Sequence, residues 1–337
     1  MLSTFRLPGR LARPAVSVPH ASKRVPSRYA EFSTFRPVTM MAEGNQKFAI
    51  KNLFDVQGWT VVVTGGGTGI GLMITQAFAN NGARVYITGR RAEVLETTAK
   101  EWGSKLLHPE GRIIPVTTDI TDKSSIQNLA REVAKHEDHV DVLVNNAGID
   151  GDTSTVEKGD ESAEALQEQL WSEEMKMWEE VYRTNVMGHF FTTVAFLPLL
   201  SAATKRGAGH IGSVINISSM SGITRMSQHH IAYNTSKAAA IQLNTLLAQE
   251  MRRPGVKVRV NSIAPGIFPS EMTASDSNEK NKSTIPTDDS YGKKKGIPAG
   301  RPGGEEDMAQ AALFLACNQY LYGQIVTVDG GYLLEHP

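Results

Sequence analysis

Between residues 59 and 82 a β-branched run passes through a glycine-rich turn straight into a helical stretch, and this constrains the fold more than anything else in the chain. Trp59-Thr60-Val61-Val62-Val63-Thr64 has the composition of a buried strand. Gly65-Gly66-Gly67-Thr68-Gly69-Ile70-Gly71 follows at once; residues 72–81 read as a helix, and Gly82 ends it. Glycines let a backbone turn tightly and approach a pyrophosphate, which then sits on the N-terminus of the following helix. The strand–turn–helix context marks a dinucleotide site rather than a plain loop, with Gly65, Thr68, Gly69, Ile70 and Gly71 as its contacts.

The alternation continues. Short apolar strands at 84–88, 112–117, 140–144, 211–217, 256–263 and 324–328 are separated by helical patterns at 91–102, 123–136, 178–200, 233–253 and 305–317. Such an order predicts an α/β fold: a single doubly wound, parallel, seven-stranded sheet of Rossmann-like type with helices on both faces. Ligands of these sheets lie at the carboxyl ends of the strands. The second strand ends in Gly89-Arg90-Arg91, about 20 residues past the glycine turn, where an NAD site usually places an acid. No acid stands there. Arg90 suits the 2′-phosphate of NADP(H), although Thr68 adds no second positive charge in the turn. The plain alternative for Arg90 is a solvent-facing arginine at a helix start. Asp119 is placed to accept from an adenine amino group; its plain alternative is a turn residue, with Asp122 the cap of the next helix. Residues 149–175 read as an acidic surface insertion, and the polar stretch 267–300 as a substrate lid.

Tyr233 and Lys237 are four apart, so a helix stacks them on one face. An ammonium beside a phenol favours the phenolate and lowers the tyrosine pKa. Such a tyrosine exchanges a proton with a substrate oxygen near neutral pH. The pair alone is a weak signal and gains force from Ser219 upstream. His229 and His230 lie just before Tyr233; adjacent histidines point different ways, so they read as loop residues and no metal site is expected.

These residues together resemble the short-chain dehydrogenase/reductase family over about 53–332. The likeness rests on Thr64-Gly65-x-x-x-Gly69-x-Gly71, Asp119, Asn145-Asn146-Ala147-Gly148, Asn185, Ser219, Tyr233-x-x-x-Lys237, Pro265-Gly266 and Asp329-Gly330-Gly331. Phe268-Pro269-Ser270-Glu271-Met272-Thr273 looks more narrowly like the rhamnolipid-type 3-oxoacyl-[acyl-carrier-protein] reductases. The resemblance implies that Tyr233 is the general acid and that Lys237 holds the nicotinamide ribose and lowers the Tyr233 pKa. It implies that Ser219 binds the substrate oxygen and that Asn185 anchors a water relaying protons to Lys237. Ser219 is preferred to Ser218 because the family places a glycine three residues on, and Gly222 fits. Asn146 would line the adenosine side, Ser270 would stand near the carboxamide, and Pro265 and Gly266 would also bind the cofactor. The implied activity is NADPH-dependent reduction of a ketone, with a 3-oxoacyl thioester as first substrate. The alternatives are an NAD(P)-dependent dehydrogenase of a steroid, polyol or secondary-metabolite alcohol, and a non-catalytic NADP sensor. The family also pairs the two helices carrying Asn185 and Tyr233 across a dimer axis, so a homodimer or homotetramer is expected. The span from Gly148 to Asn185 exceeds the family's usual one by about ten residues, which fits an insertion.

Composition sets the outer bounds. The chain has 337 residues, 40% apolar and 21% charged, as in a globular protein. Basic and acidic residues both number 35, so no charge excess points to nucleic acid, and no apolar run looks long enough to span a bilayer. Cys317 is the single cysteine and reads as a small buried hydrophobe. The balance hides an asymmetry. Residues 1–30 carry six basic residues and no acid, leaving 29 basic against 35 acidic in the remainder. Residues 1–45 therefore read as a mitochondrial transit segment or a disordered extension preceding an NADP-binding domain over 46–337. Met40 or Met41 offers an internal start that would leave a cytoplasmic form.

Overall fold

A computed structural model describes residues 44–154, 162–207 and 209–337. Most of the basic extension and the middle of the acidic insertion, residues 155–161, lie outside the described residues. Seven strands form one parallel sheet: β1 (Thr60–Thr64), β2 (Arg84–Gly89), β3 (Arg112–Thr117), β4 (Val142–Asn145), β5 (Gly212–Ile217), β6 (Val258–Pro265) and β7 (Ile325–Val328). Their order is β3-β2-β1-β4-β5-β6-β7. Chain order therefore reverses between β1 and β4, the switch point where doubly wound sheets open a crevice.

Period-two alternation gives each central strand two buried faces. Val61 and Val63, Val85 and Ile87, Val142 and Val144, and Ile215 turn to one core with Phe78 and Leu315. Val62, Tyr86, Leu143, Val214 and Val260 turn to the other, with Leu129, Phe196, Leu200 and Leu247. Each such side chain contributes roughly 1.5–3 kcal/mol on burial. The longer helices are α1 (Gly69–Asn80), α2 (Ala92–Gly103), α3 (Lys123–Ala134), α4 (Ala163–Trp171), α5 (Met175–Tyr182), α6 (His189–Ala202), α7 (Ile231–Met251) and α8 (Glu305–Cys317), of which α4 buries no residue. Asp122 caps α3 by accepting from Ser124 N at 2.9 Å, and Ile126, Leu129 and Val133 form its buried stripe.

Three expectations change. The first helix begins at Gly69 rather than residue 72, so its first turn lies inside the glycine motif. The expected 178–200 helix is α5 and α6 joined by a π-helical segment, Arg183–Gly188, which holds Asn185. The combined run Met175–Arg206 is long and apolar enough to cross a bilayer by length and composition, contrary to the sequence reading. It is nonetheless a packed helix of this domain: Val181, Phe196 and Leu200 are fully buried in it, as are Asn185, Thr192 and Thr193.

Candidate active site

A cleft of about 1130 Å³ runs along the carboxyl ends of the strands. At one end stands the glycine turn. Gly65 adopts φ 64° and donates to Thr88 O. A Cβ on Gly71 would lie 2.0 Å from Gly65 O and 2.5 Å from Asn146 Nδ2, so only glycine lets the chain double back here. Thr68 is the N-cap of α1 but its side chain makes no cap bond, which leaves the helix's first N–H groups to face the cleft. Those uncapped groups are the feature that suits an anionic pyrophosphate.

Asn146 is part of this turn's frame. Its Nδ2 donates to Thr64 O at 2.9 Å and Gly65 O at 3.1 Å, tying β4 to β1. Asp119 lines the cleft, but its Oδ1 already accepts from Thr121 N and Thr121 Oγ1. Arg90 is exposed in the cleft wall and, among the described residues, forms no ion pair. Its neighbour Arg91 pairs with Glu271 at 2.7 Å. Ser270 packs on the turn, where a Cβ on Gly69 would meet it at 2.9 Å. Pro265 ends β6, and it and Gly266 line the same wall.

The stretch 267–300 is more tightly held than a free lid. Asn281 Nδ2 donates to Val94 O and Thr98 Oγ1, and Thr98 Oγ1 donates to Gly67 O in the glycine turn. Lys282 pairs with Glu305 and lies over the Trp102 ring, whose Nε1 donates to Lys280 O. Residues 276–285 thus strap α2 to α8 beside the dinucleotide end. The helix Asp289–Lys295 follows, and Lys295 reaches the cleft.

Ser219, Tyr233 and Lys237 come together at the other end. The two adjacent serines have different partners. Ser218 Oγ is spent on Ser262 Oγ and Ile263 O within the sheet. Ser219 Oγ accepts from Ser221 N at 3.1 Å and lines the cleft with Tyr233. A Cβ on Gly222 would lie 2.6 Å from the Lys237 carbonyl carbon, so a glycine here lets the serine loop rest on α7. Lys237 is buried, donates from Nζ to Ile217 O at 3.0 Å, and sits 5.6 Å from the Tyr233 ring centroid.

Protonation departs from the sequence reading. Tyr233 is pushed up to about 12 by burial; Ser219 pulls the other way, and the carboxylate of Asp150 adds to the rise. Lys237 is pushed down to about 8 by burial. Leaving water disfavours the charged form of both groups, and this is the leading cause for each. Asn185 Oδ1 accepts from Ile149 N, and its Nδ2 donates to Ile149 O and Ser236 Oγ, so its carboxamide braces the chain after Gly148.

Sequence reasoning passed over several residues here. His189 is fully buried, contacts Ala147 O through Nε2 at 2.8 Å, and is pushed down to about 4 by burial and then by Lys237. Asn145 Nδ2 donates to Thr193 Oγ1 and Asn216 Oδ1, and Asn216 Nδ2 to Asn244 Oδ1, forming a buried amide ladder beneath the site. Ser221 and Gln228 join the cleft as well. Polar side chains on core faces were the available signal for the ladder; nothing local marked Gln228.

These features define a dinucleotide-binding α/β protein with a serine–tyrosine–lysine cluster at the ends of its strands. The family described as short chain dehydrogenase matches residues 59–281. The chain belongs to the short-chain dehydrogenase/reductase family and is an oxidoreductase. It is 37% identical over 289 residues to the short-chain dehydrogenase/reductase PhomF of Diaporthe leptostromiformis, covering 85% of this chain and 95% of that one. It is 34% identical over 283 residues to the rhamnolipids biosynthesis 3-oxoacyl-[acyl-carrier-protein] reductase of Pseudomonas aeruginosa, covering 83% and 98%. A solved structure, the Pseudomonas aeruginosa RhlG/NADP active-site complex, aligns with a TM-score of 0.65 at 34% identity, covering 83% of this chain and 98% of that one.

Proposed function

We propose that this oxidoreductase is an NADPH-dependent carbonyl reductase, with a 3-oxoacyl thioester as first candidate substrate. The observation that carries the reading is the convergence of Ser219, Tyr233 and the buried Lys237 at the opposite end of one cleft from Arg90, which forms no ion pair among the described residues. The uncapped N-terminus of α1 suits the pyrophosphate, and Arg90 suits a 2′-phosphate. A bound nicotinamide supplies the hydride.

The chain's own residues supply the rest. The Ser219 Oγ–H binds the ketone oxygen and sets its distance from Tyr233. Tyr233 gives its proton to that oxygen as negative charge develops there. Lys237, still cationic at neutral pH, steadies the phenolate left behind and hydrogen-bonds the ribose. Asn185 holds Ile149, and with it the backbone beside the reacting centre. The thioester is favoured by the 34% identity to the Pseudomonas reductase over most of both chains.

The test is Tyr233→Phe assayed by NADPH absorbance on acetoacetyl-coenzyme A and a panel of simple ketones. A fall of about 10²–10⁴-fold in kcat is expected, with NADPH still bound as judged by nucleotide fluorescence. Full turnover in that variant would sink the assignment of Tyr233.

We also propose a homo-oligomer. Met187, Phe190 and Val194 on one helical run and Leu246 on α7 are exposed at 49%, 36%, 44% and 54%. Large apolar side chains left open on these two helices suit a second copy of the chain.

A further inference from the structure

Gln228 and His229 are consecutive, and both sit in the left-handed region, at φ 52° and 63°. A residue with a side chain adopts that backbone only at a cost, and it persists where the surroundings over-determine it. Glycine would adopt it freely. A glutamine here is explained by what its side chain holds.

Both ends of the Gln228 carboxamide are engaged. Oε1 accepts from Ser221 Oγ at 2.7 Å, and Nε2 donates to Tyr332 Oη at 3.1 Å. Ser221 in turn donates its backbone N–H to Ser219 Oγ at 3.1 Å. A hydroxyl has one proton and two lone pairs. With one lone pair occupied by Ser221, the Ser219 proton and the other lone pair are left to the cleft. An unbroken chain of hydrogen bonds therefore runs from Tyr332 through Gln228 and Ser221 to Ser219.

The far end of that chain is fixed. Tyr332 is 8% exposed and stacks on His336, with centroids 4.3 Å apart. His336 O accepts from Thr224 Oγ1 at 2.9 Å, and Pro337 O from Arg225 N at 3.2 Å. The near side is fixed too: His229 O accepts from Ser154 N at 2.9 Å, and Asn234 Nδ2 donates to Ser227 O at 2.8 Å.

We infer that Gln228 is a positioning residue: it holds Ser221, and through it the Ser219 hydroxyl, at the angle at which the substrate oxygen is met, with residues 332–337 as its anchor. This rests on the reading of Ser219 given above. Residues 332–337 are, on this account, a working part of the site although they share no element with it.

The experiment is a double-mutant cycle on the full chain, assayed with NADPH and the ketone of the panel that turns over fastest. Gln228→Ala should lower kcat about tenfold while KM changes less than about threefold. Tyr332→Phe, which keeps the ring stack, should lower it in the same sense. In a Ser219→Ala background, Gln228→Ala should have no further effect, because its action passes through Ser219. Gln228→Gly relaxes the backbone and should melt no lower than the parent, yet be as slow as Gln228→Ala. Unchanged kcat in Gln228→Ala, or additive losses in the double variant, would overturn the proposal. Retained activity in Ser219→Ala would instead overturn the reading of Ser219. A crystal structure of Gln228→Ala gives a readout free of any substrate: Ser219 Oγ should leave Ser221 N, beyond about 3.5 Å, and an unmoved hydroxyl overturns the proposal.

Discussion

Burial fixes the protonation of the reacting groups at the residue scale. Tyr233, pushed up to about 12, keeps its proton at neutral pH. Lys237, at about 8 against an ordinary 10.5, loses its charge at mildly alkaline pH. In the proposed reaction its cation steadies the developing phenolate. The rate of ketone reduction should therefore fall as pH rises through about 8; initial rates in overlapping buffers check this, and a rate that climbs over that range contradicts it. Arg90 acts at the other end of the cleft. Arg90→Ala should weaken NADPH binding about tenfold and leave NADH nearly unchanged, since one charge-assisted hydrogen bond is worth roughly 1.5–3 kcal/mol. Titration of each nucleotide by fluorescence measures the ratio, and equal losses for both would remove Arg90 from 2′-phosphate recognition. Arg90 was legible because it stands where an acid is expected. Gln228 and His189 were not, because their partners lie far away in sequence: Tyr332 for one and Ala147 for the other.

At the scale of elements, the glycine turn and the strap work as one piece. Asn281 reaches Thr98, and Thr98 reaches Gly67, so the chain around 276–285 bears on the turn from behind. Arg91 and Glu271 close the same flank. Asn281→Ala removes two buried hydrogen bonds and should cost roughly 1–3 kcal/mol of local stability. The expected signs are faster proteolytic nicking within 276–285 and weaker NADPH binding, with the sheet's own melting little changed. Nicking at the parent rate would mean that the strap is held elsewhere. Polar composition made this stretch read as a substrate lid; Asn281, which helps to pin it, looks from sequence like any loop asparagine. The π segment around Asn185 was equally hidden, since its residues suit an ordinary helix.

For the whole molecule, the sheet order places every strand end that carries a polar motif on one edge. That is why residues as far apart as Gly65 and Ser270 share a cleft. The faces turned away from it carry the exposed Met187, Phe190, Val194 and Leu246. Leu246→Glu should shift the mass found by light scattering at micromolar concentration towards the monomer, because a buried unpaired carboxylate opposes association. A parent protein that already scatters as a monomer refutes the oligomer.

Local chemistry determined much of this in advance. The β-branched strands, the glycine turn and the Tyr233–Lys237 spacing each report on neighbours within a few residues, so the alternation and the fold class could be read from the chain, and Tyr233 and Lys237 could be singled out as candidates. Tertiary structure alone decided the rest. Whether Lys237 or burial governs Tyr233 depends on a separation and on exclusion of water, which no spacing encodes. Which serine of two is left to the cleft depends on Ser262 and the Ile263 carbonyl engaging the other. That residues 332–337 brace Gln228 depends on long-range packing, where the energy lies in contacts and not in the pattern of any one segment.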